Sequence, residues 1–401
     1  MINMQKIFTK PFTQQEAMPE AGIEAVTDLL RTGRLHRYNM VADELSAASQ
    51  LEQDYAQWQG RDYCLACTSC GYALHIGLRA MGVTAGDGVL TNGYTLAPVP
   101  GAIANVGARP ILVEVNDHYH LDLHDLRHKA QTSGAKVLVL SYMRGHMPDM
   151  HQLMQICDEL GIQVLEDCAH TMGAKWQGIR AGNFGVMAAF SLQTYKHINT
   201  GEGGLLVSND KHMMAKAIMH SGSYMLYERH GAAPEAEAFT DIRYTSPNMS
   251  GRMDNMRATL ALAQLPRLEE NCQRWNQRYD LLAEQLNKVP GLYIPPRHAD
   301  EAYVGSSIQF MAQGIALAHL PDFVQACAKR GVELKWFGEA EPKAFTSRYD
   351  SWHYVEPQHL PNTLAVLEKT LDMRVPLTFD LADCQLLADI IADVCGDFVQ
   401  Q

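Results

Sequence analysis

Short apolar runs recur along the first two thirds of the chain, each closed by small or polar residues. Ile162–Leu165 reads as a buried strand that ends in Glu166-Asp167. Phe184–Leu192 reads as a second, with Ser191 near its end, and Ala135–Tyr142 (AKVLVLSY) as a third. Residues 63–78 read as a strand, a tight turn at Thr68-Ser69-Cys70-Gly71 and a helix from about Tyr72. Val89–Val115 reads as strand, loop, helix and strand. Residues 14–57 read as helical, interrupted by Gly33–Tyr38. Strand–helix units of ~30 residues predict an α/β fold with a mostly parallel sheet.

The pattern changes after the polar stretch Met225–Asn255. Arg257–Leu268, RWNQRYDLLAEQLNKV, LPDFVQACAKRGVEL and FDLADCQLLADIIADVCGDFV have helical spacing. LYIPP reads as a turn and VGSSIQFMA as a strand. These features predict a large domain over 1–265 and a smaller α+β domain over 266–401. With no low-complexity linker, the two are expected to pack closely.

Composition narrows the function. The net charge of -12 over 401 residues, without a basic run, argues against a nucleic-acid partner. No apolar stretch is long enough to span a membrane. MINMQKIFTKPFTQQ lacks the apolar core of a signal peptide, so a cytoplasmic enzyme is expected. Nine cysteines, whose only CxxC spacing is the single run Cys64–Cys70, fit a reducing compartment. Cys64, Cys67 and Cys70 recur every three residues, but no second Cys or His cluster completes a tetrahedral site. No metal is expected.

The candidate chemistry lies at Asp167 and Lys196. A lysine just past a buried strand is a candidate imine-forming amine, provided it is partly desolvated. Pyridoxal phosphate needs such a lysine, and an acid to keep its pyridine nitrogen protonated. Read singly, the Asp could be a helix cap and the Lys a solvated surface residue. The turn Ser69-Cys70-Gly71 could present first-turn amides to a phosphate, or be a plain Ser N-cap.

Two blocks raise the reading above these alternatives. Glu166–Ala174 (EDCAHTMGA) and Ser191–Gly204 (SLQTYKHINTGEGG) stand in order at a characteristic separation. They resemble the E-D-A-A-Q/H-x-x-G-A and S-F-x-x-x-K-x-x-x-x-G-E-G-G blocks of the DegT/DnrJ/EryC1/StrS sugar aminotransferases. The resemblance covers roughly residues 20–270 well and the rest loosely. It implies the pyridoxal-phosphate-dependent transferase fold, type I. Lys196 would carry the cofactor and Asp167 would hold its ring nitrogen. Ser69, Cys70, Gly71, His170 and Ser191 would complete the cofactor site. The family's S-G-T-A-A-L turn stands here as SCGYAL, with the glycine displaced by one. Leu96 occupies the slot of the family's ring-stacking aromatic, unless Tyr94 swings in. Asn248 or Ser250, in SPNMSGRMD, would cross a homodimer interface to the neighbour's phosphate. The helix over Arg257–Leu268 would pack in that dimer.

The resemblance also implies glutamate as amino donor and an oxidised sugar as acceptor, with a pyridoxamine form between the two half-reactions. A dehydratase of the same fold would carry His at the lysine position. Arg34, Arg37, Tyr38, His146, Arg229 and Arg252 are candidate substrate contacts, and Arg144 a further carboxylate partner. The GRLHRYN, SYMRGH and SGSYMLYERH segments resemble a branch acting on the C8 aldehyde of 3,8-dideoxy-8-oxo-manno-octulosonate, a lipopolysaccharide sugar. A nucleotide-linked keto-sugar is the alternative acceptor.

Overall fold

A computed structural model describes residues 6–343 and 347–399, so residues 1–5 of the N-terminal stretch read above lie outside it. Three helices open the chain: α1 (Glu20–Thr32), α2 (Ala47–Gln59) and α3 (Cys70–Ala80). The first nine strands are β1 (Tyr63–Cys67), β2 (Gly88–Asn92), β3 (Arg109–Val113), β4 (Val137–Ser141), β5 (Gln163–Asp167), β6 (Lys175–Trp176), β7 (Ile179–Arg180), β8 (Met187–Ser191) and β9 (Gly204–Ser208). Seven of them form one sheet in the order β1-β9-β8-β5-β4-β2-β3. The pairs from β8 to β3 are parallel, and β9 runs antiparallel to both β8 and β1. The sheet is therefore mostly parallel, as the strand–helix alternation predicts. Its strands carry apolar residues on both faces because helices cover both.

Several boundaries differ from the sequence reading. Helix α1 begins only after Pro19 and stops at Gly33, whose φ of 71° closes it. Residues 36–46 are turns and extended chain, and the next helix waits for Ser46, whose hydroxyl accepts from Ser49 N. Helix α3 starts at Cys70, ahead of Tyr72, because Ser69 Oγ accepts from Tyr72 N at 3.0 Å. Strand β8 begins only at Met187. Phe184 and Gly185 are held out of it, their amides donating to the Glu166 carboxylate at 2.8 and 2.6 Å. Past Asn255, a helix over Asn255–Gln264 and one over Leu268–Leu286 replace the predicted Arg257–Leu268. Pro266 forces a short 3-10 turn between them.

A second sheet, β10-β6-β7, forms where β10 (Glu301–Ala302) pairs back to β6, and a third holds β11 (Ser307–Met311), β12 (Lys335–Trp336) and β13 (Thr370–Arg374) in the antiparallel order β11-β13-β12. Helices Leu268–Leu286, Leu320–Lys329 and Leu381–Gly396 pack on it. The helix Leu268–Leu286 serves two cores. Leu268, Cys272 and Trp275 join the core of the large sheet, and Tyr279, Leu282 and Leu286 join that of the small one. The N-terminal segment also reaches the small core, where Phe8, Phe12 and Phe379 meet edge to face at 4.9–5.6 Å. Each such pair contributes ~0.5–1.5 kcal/mol beyond its buried area. Among the described residues, no helix is long and apolar enough to cross a membrane.

Candidate active site

In an open parallel sheet the ligand crevice lies at the carboxyl ends of the strands. Asn92, Ser141, Asp167 and Ser191 are the last residues of β2, β4, β5 and β8. Asn92 bridges to the backbone of Ser141 through two hydrogen bonds of 3.0 Å. Thr95 Oγ1 donates to Ser141 Oγ at 2.7 Å, and Ser141 Oγ donates to Asp167 Oδ2 at 2.8 Å. Ala169 N donates to Asp167 Oδ1 at 3.2 Å. Burial raises the Asp167 pKa, against the lowering pull of these bonds and of Lys196. Glu166, one residue earlier, points to the other face of the strand. There Tyr142 Oη and Gly182 N donate to it at 2.7 Å, in addition to the Phe184 and Gly185 amides. Glu166 is therefore a scaffold residue, and Asp167 alone of the acidic pair lines the pocket.

Lys196 sits on the loop that joins β8 to β9. The loop is closed by Leu192 N to Gly203 O and Thr200 N to Leu192 O, both 2.9 Å, and by Thr194 N to Gly201 O at 3.0 Å. The Lys196 Nζ atom lies 2.9 Å from His170 Nε2. Burial lowers the lysine pKa to about 7, helped by Arg144 and opposed by Asp167. Burial, and then Lys196, hold His170 well below the usual imidazole range. Burial thus disfavours a charged imidazole beside the lysine, and the two groups share one hydrogen bond. An amine at about 7 is partly uncharged near neutrality, as nucleophilic and proton-transfer work requires.

Both groups line a pocket of about 350 Å³, within the range of small-ligand sites. Ser69, Cys70 and Gly71 form one end of it. Since α3 begins at Cys70, the amides of Cys70 and Gly71 fall in its first turn, where intrahelical acceptors are missing. The turn comes this close to β9 only because residue 204 is glycine. A Cβ on Gly204 would stand 2.3 Å from Ser69 C and 2.5 Å from Cys70 N. An anion cradle at one end, a desolvated lysine and a buried carboxylate fit pyridoxal phosphate. Leu96 lines the same pocket. Tyr94 does not: it is buried against Phe337 and Tyr119, with ring centroids at 5.1 and 5.7 Å.

Residues 16–392 match the description of the DegT/DnrJ/EryC1/StrS aminotransferase family. The chain belongs to that family. It is 29% identical over 241 residues to GDP-perosamine synthase of Escherichia coli O157:H7, covering 60% of this chain and 63% of that enzyme. It is 31% identical over 264 residues to 3-amino-5-hydroxybenzoate synthase of Amycolatopsis mediterranei, covering 64% and 63%. The chain thus spans less than two thirds of these relatives' length. A crystal structure of 3-amino-5-hydroxybenzoic acid synthase superposes with a TM-score of 0.82 at 24% identity, over 98% of this chain and 100% of that one. The fold is that of the type I pyridoxal-phosphate-dependent transferases.

The aminotransferase fold places most of the candidate substrate residues outside the pocket. Arg37 and Glu52 form a fully buried ion pair, with nitrogen–oxygen contacts of 2.8 and 2.6 Å. Tyr38 Oη donates to Ser223 Oγ at 2.6 Å and lies 3.0 Å from His230 Nδ1, and His230 Nε2 lies 3.0 Å from Glu52 Oε2. Arg37 and Tyr38 are therefore structural: they lock the GRLHRYN segment to SGSYMLYERH. Arg34 pairs with Glu44, Arg229 donates to Tyr38 O at 2.9 Å, and Arg252 donates to Gly222 O. His146 is buried on Gln309 at 2.9 Å. None of these six lines the pocket. Asn248 and Ser250 are exposed, with Asn248 on a separate groove of about 570 Å³ beside Tyr72. The pocket instead holds Arg144, as well as Arg374, Tyr195 and Gln193, which the sequence reading passes over. All nine cysteines are free, and the described residues contain no metal-binding group of three.

Glu52→Gln tests the buried pair. Burial pushes the Glu52 carboxyl up, but Arg37 and then His230 outweigh it and hold it at about 2. Leaving Arg37 buried and unpaired is expected to cost ~3–5 kcal/mol, read by denaturant unfolding. A depressed carboxyl stabilises above its unfolded pKa. This share of stability is complete above about pH 4.5 and is lost as the pH falls toward 2. An unchanged unfolding midpoint at pH 7 would refute the assignment.

Proposed function

We infer that the chain is a pyridoxal-phosphate-dependent aminotransferase that moves an amino group from glutamate to an oxidised sugar. The observation that carries this is the near-neutral Lys196 amine sharing one pocket with the buried Asp167 and the first turn of α3. The cofactor, when bound, supplies an electron-accepting ring. The chain supplies the rest. Asp167 stabilises the charged ring nitrogen by opposite charge. Ser69, Cys70, Gly71 and Ser191 receive the phosphate. Leu96 covers the ring by apolar contact. Lys196 Nζ takes and returns the substrate proton, and His170 orients it.

For the acceptor, the reading favoured is the C8 aldehyde of 3,8-dideoxy-8-oxo-manno-octulosonate. Its support is the three segments named above, one of which puts Arg144 in the pocket. The relative named GDP-perosamine synthase keeps a nucleotide-linked keto-sugar as the competing substrate. Lysine at position 196, where a dehydratase would carry His, disfavours dehydration. The test offers purified enzyme and glutamate the octulosonate aldehyde and several nucleotide-linked keto-sugars, with product mass measured. The aldehyde gains an amine if the reading holds. Amination of nucleotide-linked sugars alone refutes the octulosonate, and no amine transfer from glutamate refutes the activity.

The active site is proposed to be shared across a two-fold homodimer. Asn248 and Ser250, exposed and outside their own chain's pocket, are the residues that would reach the neighbour's cofactor phosphate. A Lys196→Ala chain mixed with an Asn248→Ala/Ser250→Ala chain should form heterodimers with one restored site. Heterodimers that recover neither activity nor cofactor affinity above their parents would rule out a crossing loop.

A further inference from the structure

Lys196 borders more than the cofactor pocket. A smaller cavity of about 60 Å³ lies under the N-terminal strap of residues 15–19, and Lys196 is the one residue its lining shares with that of the pocket. The cavity runs from exposed Glu16, Ala17 and Arg267 to Lys196, His197 and Trp275. Its roof is pinned on both sides of Gln15. Thr378 Oγ1 donates to Gln14 O at 3.2 Å, and Arg274 grips the Glu16 carboxylate at 2.9 and 2.6 Å. Its wall is pinned as well, since Asn199 N donates to Gln264 Oε1 at 2.9 Å and Gln264 Nε2 donates to Asn199 O at 2.7 Å.

His197 is only 4% exposed, and its ring meets Trp275 edge to face at 5.1 Å. Neither of its ring nitrogens has a hydrogen-bond partner among the described residues. Buried polar atoms are normally paired, so both nitrogens call for a partner inside the cavity. Burial, and then Lys196, bring the ring's pKa down to about 3, so it is uncharged near neutrality. An uncharged imidazole has one donor and one acceptor. A small anion could serve only its N–H, whereas water can serve both nitrogens. The cavity exceeds the about 10–15 Å³ that one water needs, and Gln15, Asn199 and Asn271 add polar groups to its lining.

We propose that this cavity is a water-filled proton path between Lys196 and solvent, with His197 as the relay in it; this rests on the aminotransferase reading above. The proton that Lys196 Nζ takes from the substrate carbon passes to a cavity water. His197 accepts a proton at one nitrogen and releases the one held at the other, so the ring stays uncharged and only its tautomer changes. A further water hands the proton to solvent beside Glu16. The reverse run returns one proton to the amine and restores the tautomer, so the protons balance. His197 acts through Lys196 and touches no substrate, which makes it a positioning residue.

Glutamate alone is given to holoenzyme in deuterium oxide. Loss of its α-hydrogen is followed by NMR, and amine transfer to the cofactor by absorbance. His197→Phe, which keeps a ring against Trp275 but has no nitrogen, is expected to lower the ratio of exchange to transfer by ~10-fold or more. His197→Gln, which restores a donor and an acceptor, should recover part of the loss. A merely structural His197 would slow both rates alike and leave the ratio unchanged. If His197→Phe loses its thermal transition, His197→Leu replaces it. Apart from turnover, a crystal structure of the cofactor-free enzyme should show ordered water within hydrogen-bond distance of both ring nitrogens. A folded nitrogen-free variant with the wild-type ratio overturns the relay, and so does a His197 ring with no water at either nitrogen. Failure of the aminotransferase reading looks different: wild-type enzyme then neither transfers an amine nor exchanges the hydrogen, and the relay falls with it.

Discussion

Lys196→Ala is expected to lower amine transfer by at least ~10³-fold and to abolish the lysine–cofactor bond that borohydride traps. The truncation removes the one lysine that lines the described pocket. Lys335 is the nearest substitute in chemistry, since burial brings it to about 8. It lies on β12 and lines none of the three cavities that Lys196 lines. The fold should survive the change. The loop is closed by backbone bonds, including Lys196 N to Gln193 O at 2.9 Å, and these do not depend on the side chain. His170 loses its contact with the lysine, and Asp167 loses a nearby cation but keeps its bonds from Ser141 Oγ and Ala169 N. Mass spectrometry of the borohydride-treated variant is the check. Cofactor found covalently on another lysine would refute the assignment, whatever the activity.

The sheet was legible in the sequence because its strands are short apolar runs closed by polar residues that chemistry requires at their ends. Asp167 and Ser191 follow this rule, and so does Ser141. Each lies at a C-terminal edge, where parallel strands open onto ligand. The pair of glycines after Glu202 was legible only as a motif, and the structure supplies its reason for one of them. Gly204 has the Ser69–Cys70 peptide seated on it.

What failed to read was burial of charge. Arg37 looked like an entrance residue because arginine is usually exposed. Its partner Glu52 lies fifteen residues away, in a helix whose pattern gave no hint of an inward carboxylate. Arg374 was missed for the opposite reason. Thr370–Arg374 (TLDMR) is a central strand of a three-stranded sheet, and its two charges break the apolar pattern that would have announced it. An alternation of Asp372 and Arg374 within an otherwise apolar run was the available signal. Leu96 and Tyr94 could be separated only by packing, since both flank the same turn and either side chain could have faced inward.

Asp167→Asn separates the two things this carboxylate does. The amide keeps the shape and can still take the Ser141 hydroxyl bond, so the strand end should hold its geometry. It cannot hold a full negative charge against a protonated ring nitrogen, so the chemical step is expected to slow by ~10²-fold or more. Stability should move the other way. Burial raises the folded-state pKa of Asp167, and a raised carboxyl costs stability above its unfolded pKa, because folding then disfavours the ionised form. Removing the charge removes that cost. The variant without cofactor is therefore expected to melt no lower than wild type at neutral pH. With cofactor, the opposite charge returns the advantage to the wild-type chain, so the gain in melting temperature on cofactor binding should be smaller in the variant. Single-turnover kinetics together with melting curves, with and without pyridoxal phosphate, give both readouts. A wild-type single-turnover rate in Asp167→Asn would show that the pyridinium charge is held by another group, and Asp167 would then be a buried residue of the strand end alone.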